Sequence, residues 1–169
     1  RGYWYTVSRD AKELDAPEPV GIKAAERTVA KLGARKVATE KVPVIFEAPV
    51  ASGLIGHLVS AISGGNLYRK ASFLVDHAGK TIFPEHLSIS EVPHLPRGLG
   101  SSPFDAEGAR TSERKLVDSG VLTGYVLGSY SARRLGLGPT GNAGGVHNLR
   151  VSHQDLSFDE LVKQMGRGL

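Results

Sequence analysis

The stretch ASGLIGHLVSAISGG, residues 51–65, decides how the chain is read. Val50, Leu54, Ile55, Leu58, Val59 and Ile62 recur at helical spacing and cover more than half the circumference of a helix running from Val50 to Ser63. A helix apolar over so much of its surface is expected to be buried, and Gly64-Gly65 ends it. His57 is the one titratable side chain within it. A lone histidine in such a setting more often makes a hydrogen bond in a core or interface than binds a metal.

Outward from this helix, strands and helices mix. Upstream, VPVIF (42–46) is β-branched and reads as a strand, with Pro43 at its start or on an edge, and Ala48-Pro49 reads as a turn. Farther back, Val20, Ala24, Ala25, Thr28, Val29 and Leu32 predict a helix over 19–32, started by Asp15 and the prolines at 17 and 19 and stopped by Gly33. Downstream, FLVD (73–76) and KTIF (80–83) flank His77-Ala78-Gly79 as a hairpin, and LSISEV (87–92) alternates as a strand. Residues 121–127 and 147–151 read as further strands, and Ser129 to Leu135 as a short helix. Residues 93–108 and 136–145 hold too many glycines and prolines for a regular element. Ser157 followed by Glu160 is a capping box for a helix over 157–165, closed by Gly166. No repeating βαβ rhythm joins these elements. The expected class is α+β, a largely antiparallel β-sheet with a buried central helix and flanking helices.

The composition sets bounds on function. The chain has 169 residues, 40% apolar and 22% charged, which is ordinary for a globular domain. Its opening Arg1-Gly2-Tyr3-Trp4-Tyr5, without an initiator Met, and its close on Gly168-Leu169 suggest a piece of a longer protein. Apolar runs such as 42–62 are broken by Pro43, Glu47, Pro49 and His57, so no membrane span is expected. Cysteine is absent, which excludes disulfides, thiolate nucleophiles and sulfur-ligated zinc within these residues. The net charge is +4, but the basic pairs Arg35-Lys36, Arg69-Lys70, Arg114-Lys115 and Arg133-Arg134 are dispersed along the sequence. Dispersed charge reads as a solvated surface and disfavours nucleic-acid binding.

No motif completes a catalytic set. The six histidines, at 57, 77, 86, 94, 147 and 153, include no H-x-x-x-H, H-E-x-x-H or H-x-H. Ser52-Gly53, Ser63-Gly64 and Ser119-Gly120 each offer part of a nucleophile elbow, and none completes G-x-S-x-G. GLGPTGNAGG (136–145) lacks the lysine of a phosphate-binding loop. Asp105 with Glu107 lies in a loop, and Asp159-Glu160 lies in a first helical turn where negative charge is favoured, so both pairs read as structural.

The helix at 51–65, together with SGGNLYRKASF (63–73), PRGLGSSPFDAEG (96–108), TGNAGG (140–145) and the run PFDAEGARTSERKLVDSGVLTGYVLGSYSARRLG (103–136), resembles the PmbA/TldE side of the TldD/PmbA metalloprotease family. In the TldD half, the corresponding helix carries H-E-x-x-x-H, two zinc ligands and a glutamate general base. Here the matching residues are Ser52-Gly53-Leu54-Ile55-Gly56-His57. The resemblance therefore implies that Ser52, Gly53 and His57 are degenerate motif positions, with no catalytic or metal-binding residue in this chain and the zinc in a TldD-like partner. It implies a cytoplasmic heterodimer acting on unfolded peptides, in peptide-antibiotic maturation and antitoxin removal, from a family once labelled modulators of DNA gyrase. It assigns residues 1–41, with helix 19–32, to the family's central region and 42–169 to its C-terminal domain. A homo-oligomer is the other assembly it allows. Two rival readings stand beside it: a self-sufficient metallopeptidase using His57, and a DNA gyrase-linked regulator.

Overall fold

The computed structural model describes residues 2–169 and divides at Val42 into two units, residues 1–42 and 43–169. In the first unit a short 3-10 turn at Ala11–Glu13 precedes helix α1, Pro17–Val29. Proline at the first helical positions suits a turn whose N–H groups have no intrahelical partner, and Gly33 follows the helix with positive φ. Trp4 is held by the Arg27 guanidinium, 5.3 Å from the ring centre.

The second unit is built on an antiparallel sheet. Its strands are β1 (Ile89–Glu91), β2 (Arg114–Asp118), β3 (Val121–Leu122) and β4 (Leu149–Val151), in the order β3-β2-β1-β4. Ser119 and Gly120 both have positive φ and form the tight two-residue turn joining β2 to β3, which removes Ser119-Gly120 from any nucleophile-elbow reading. Side chains of Ile62, Leu67, Ile89, Leu116, Leu122 and Leu127 are almost wholly withdrawn from solvent and make the centre of the core. Helices α2 (Ala48–Ala61), α3 (Gly64–Tyr68), α4 (Ser129–Leu135) and α5 (Phe158–Met165) complete the unit. The α+β class with a mainly antiparallel sheet is thus observed.

Several local expectations change. Residues 42–46 form no strand: Ile45 N–H donates to the Leu169 carbonyl and Leu169 N–H to that of Pro43, a two-bond contact, since Pro43 has no N–H to extend it. Ala48-Pro49 is the start of α2 rather than a turn, with proline where no amide hydrogen is required. The hairpin of 73–76 with 80–83 is absent. The Tyr125 hydroxyl instead accepts from His77 and Ala78 N–H and donates to the Leu74 carbonyl, and Thr81 bridges to Val121 of β3. The strand expected over 121–127 stops at Leu122; Val126 then bridges in parallel to Ser63. β2 was not expected, and it supplies the fully buried Leu116 and Val117.

The helix at the origin of the reading is less enclosed than its apolar pattern predicts. Within α2 only Leu58 is buried, while Val50 and Leu54 are 56% and 48% exposed. Ile62, just past the helix, carries the deepest contact of this segment.

Candidate functional site

On α2, Ser52, Gly53 and His57, the three positions that the resemblance marks as degenerate, do not converge. The Ser52 hydroxyl donates to the Pro49 carbonyl one turn earlier, at 2.9 Å. Ser52 lines a depression of about 410 Å³ together with Ile55, Val59, Val146, His147 and Leu149. His57 lines a different one, also about 410 Å³, with Leu54, Phe73, Phe83 and Leu87. His57 is exposed rather than hydrogen-bonded in the core, and Gly53 brings no side chain. Five residues of an α-helix turn through about 500°, which leaves positions 52 and 57 about 140° apart around the axis. These residues do not fit a zinc ion, which needs three or four ligands around one point. Among the described residues no three His, Asp or Glu side chains gather where a cation could bind.

The densest polar cluster of the unit lies at the sheet. Glu91 on β1 is 1% exposed and accepts four hydrogen bonds: from Arg114 Nε at 2.9 Å, Asn142 Nδ2 at 2.7 Å, and both the backbone N–H and ring Nδ1 of His147 at 2.8 Å. An ionised carboxylate has no hydrogen to give, so His147 Nδ1 carries the proton of that bond. Arg114 spends its other nitrogens on the Tyr125 carbonyl and Asn142 Oδ1. Burial pushes the Glu91 pKa up, but the donations from His147 and Arg114 outweigh it and hold the carboxyl below its ordinary 4.5. The cluster fixes the glycine loop at 141–145 against the centre of the sheet, because Asn142 also donates to the Gly145 carbonyl.

Asp105 ties the two breaker-rich loops together. It accepts from Ala143, Glu107 and Ala109 N–H, each at 2.9 Å. The Ala143 amide is the main cause of its lowered pKa. Glu107 accepts from the Ser129 amide at the start of α4. The structural reading of this acidic pair therefore has direct geometric support. Between Gly64-Gly65, the start of α4 and residues 143–145 lies a third depression, of about 350 Å³, walled largely by backbone and by Tyr68 and Tyr130.

Sequence reasoning did not bring Glu91, Arg114, Asn142 and His147 together: Arg114 was read as part of a dispersed basic pair, His147 as one of six histidines, Asn142 within TGNAGG, and Glu91 within a strand. One signal was present: in LSISEV, Glu91 falls on the same strand face as Ile89, a charge on the apolar phase of the alternation. Its partners come from two other segments, β2 and residues 142–147, and leave no mark in local sequence.

Residues 39–169 match the family model described as the PmbA/TldA metallopeptidase C-terminal domain. The chain is 53% identical over 169 residues to Metalloprotease PmbA of Escherichia coli, covering 100% of this chain and 38% of that protein. A crystal structure of a Bacteroides thetaiotaomicron protein described as a modulator of DNA gyrase superposes with a TM-score of 0.90 at 32% identity, over 97% of this chain and 37% of its own. TldE from Thermococcus kodakarensis superposes with a TM-score of 0.77 at 26% identity, over 95% and 38% of the two chains. The chain thus spans under two fifths of the length of each of these relatives.

Proposed function

This chain belongs to the PmbA/TldD metallopeptidase family, and on that premise we propose that it is the C-terminal part of a non-catalytic, PmbA/TldE-like subunit that pairs with a zinc-bearing TldD-like subunit. The observation that carries this reading is α2. Where the zinc-bearing half presents a histidine and a glutamate, this helix presents a serine bonded to its own backbone and a glycine, and its remaining histidine opens into a separate depression. The Lewis acid and the general base are lost together. The work left to this chain is to shape access of unfolded peptides, including antibiotic precursors and antitoxins, to the partner's zinc in the cytoplasm. The likeness to TldE supports the subunit assignment. The name metalloprotease borne by the Escherichia coli relative favours a second reading, a self-sufficient metallopeptidase that would draw zinc ligands from outside these residues.

The test is to express the intact protein with and without a TldD homologue and to measure zinc content and hydrolysis of an unfolded peptide. The expected result is co-purification of the two proteins, with zinc and activity following the TldD-like subunit. One tightly held zinc per molecule of the intact protein alone, with chelation-sensitive turnover, would establish the second reading instead.

A further inference from the structure

The sequence scatters its basic pairs, and the fold gathers two of them. Arg69-Lys70 follows α3 and Arg133-Arg134 lies in the last turn of α4, two helices that pack on one another. The Arg69 and Arg134 guanidinium carbons lie 5.6 and 5.7 Å from the centre of one ring, that of Tyr68. Tyr130 meets the same ring edge-on, at 5.8 Å and an interplanar angle of 82°. Among the described residues none of the four cations has a carboxylate within ion-pair distance, although Arg69 donates one hydrogen bond to Asn66 Oδ1. All four are exposed.

This unpaired positive cluster borders the depression of about 350 Å³. Tyr68 and Tyr130 line that depression, and an Arg69 terminal nitrogen lies 3.8 Å from where a Cβ on Gly65, also in its wall, would stand. The one acidic side chain in the wall is Glu107, whose Oε2 already accepts from the Ser129 amide. Guanidinium groups stacked on an aromatic ring are pre-organised, so less side-chain freedom is lost when they take a carboxylate.

We propose that the Arg69/Arg134 cluster around Tyr68 is a recognition site for carboxylate side chains of an acidic, extended peptide, with the adjoining depression receiving the neighbouring residue. This rests on the peptide-handling role proposed above and gives it a substrate class: unfolded segments rich in Asp or Glu. Charge complementarity carries the choice: a site for neutral or basic segments would not set two exposed guanidinium groups without carboxylate partners around one tyrosine ring.

The test is fluorescence anisotropy on the intact protein with three probes: a short peptide alternating Glu and Ser, its Gln-for-Glu counterpart, and a DNA oligonucleotide of equal charge. The expected result is binding of the Glu peptide about tenfold tighter than the Gln peptide, the equivalent of two modest charge-assisted contacts. That difference should shrink with added salt. It should also disappear in Arg69→Gln/Arg134→Gln and be partly kept in Arg69→Lys/Arg134→Lys. Both variants change exposed side chains, and a coincident thermal melt would confirm the fold. Equal binding of the two peptides, or an unchanged preference in the Gln variant, would overturn the site while leaving the subunit assignment standing. Tighter binding of the oligonucleotide would overturn it in favour of a nucleic-acid surface. Binding of none of the three would remove both the site and a peptide-handling role for this part of the protein.

Discussion

Both carboxylate oxygens of Glu91 accept hydrogen bonds, Oε2 from Arg114 and Oε1 from Asn142 and His147. Gln at this position would turn an NH2 toward a donor, either Arg114 or His147, and would leave Arg114 without its anion. Breaking a buried ion pair in this way costs about 3 to 5 kcal/mol, so Glu91→Gln should lower the urea midpoint strongly at neutral pH. The pH dependence follows from the lowered folded-state pKa. A carboxyl that is more acidic when folded adds stability above its unfolded value, ordinarily 4.5, and that contribution is lost as pH falls through the folded value. The gap between the native protein and Glu91→Gln should therefore be widest above about pH 5 and should narrow below about pH 4. Asp105 adds an acid sensitivity of the same sign, but it is common to both proteins and cancels in their difference. A gap that stays constant from neutral to acid pH would mean that Glu91 contributes by shape rather than by charge.

At the scale of elements, α2 separates two leucines that sequence pattern treats alike. Leu58 is 7% exposed in the core and Leu54 is 48% exposed, so Leu58→Ala should cost about 2 to 5 kcal/mol and Leu54→Ala about 0.5 kcal/mol or less. Paired denaturation midpoints decide this, and equal effects would mean that the helix packs on another face. The α3–α4 contact offers a second case: a methyl group on Gly64 would collide with the Ser131 side chain, so Gly64→Ala should destabilise by about 1 to 3 kcal/mol. Adding Ser131→Gly should recover part of that loss, and no recovery would place the strain elsewhere. These elements also show what was legible in the sequence. Helix 129–135 and the capped helix after Ser157 follow local rules, the latter with both capping-box bonds in place. β2 was illegible because adjacent Leu116 and Val117 are both buried, so the strand is covered on both faces and shows no alternation. Residues 73–83 have strand-like composition, yet the Tyr125 hydroxyl, 47 and 48 residues away from the amides it accepts, takes their hydrogen bonds. Ser52, Gly53 and His57 were marked by the resemblance alone and by no local pattern. The Glu91 cluster was not legible, because tertiary folding alone joins β1, β2 and the segment at 142–147.

At the scale of the whole molecule, the proposed non-catalytic subunit could be a scaffold or an enzyme one step from activity. Restoring the family motif with Ser52→His and Gly53→Glu tests which. The imidazole introduced at position 52 would open into the depression walled by Val59 and Leu149, and His57 into the one walled by Phe73 and Leu87, on a different side of α2. One metal cannot take both without distortion of a helix that is regular from Ala48 to Ala61. On the Ser52 side the one other histidine in the wall is His147, whose Nδ1 is already held by Glu91, so that side reaches two imidazoles and lacks a third ligand. The double variant of the chain, assayed without any TldD homologue, should therefore bind zinc no more tightly than the parent in equilibrium dialysis and should not hydrolyse an unfolded peptide. Turnover above the parent, abolished by chelation and restored by zinc, would show that the missing ligand and a working cleft are already within residues 1–169. The non-catalytic assignment would then describe two altered side chains rather than the architecture of the subunit.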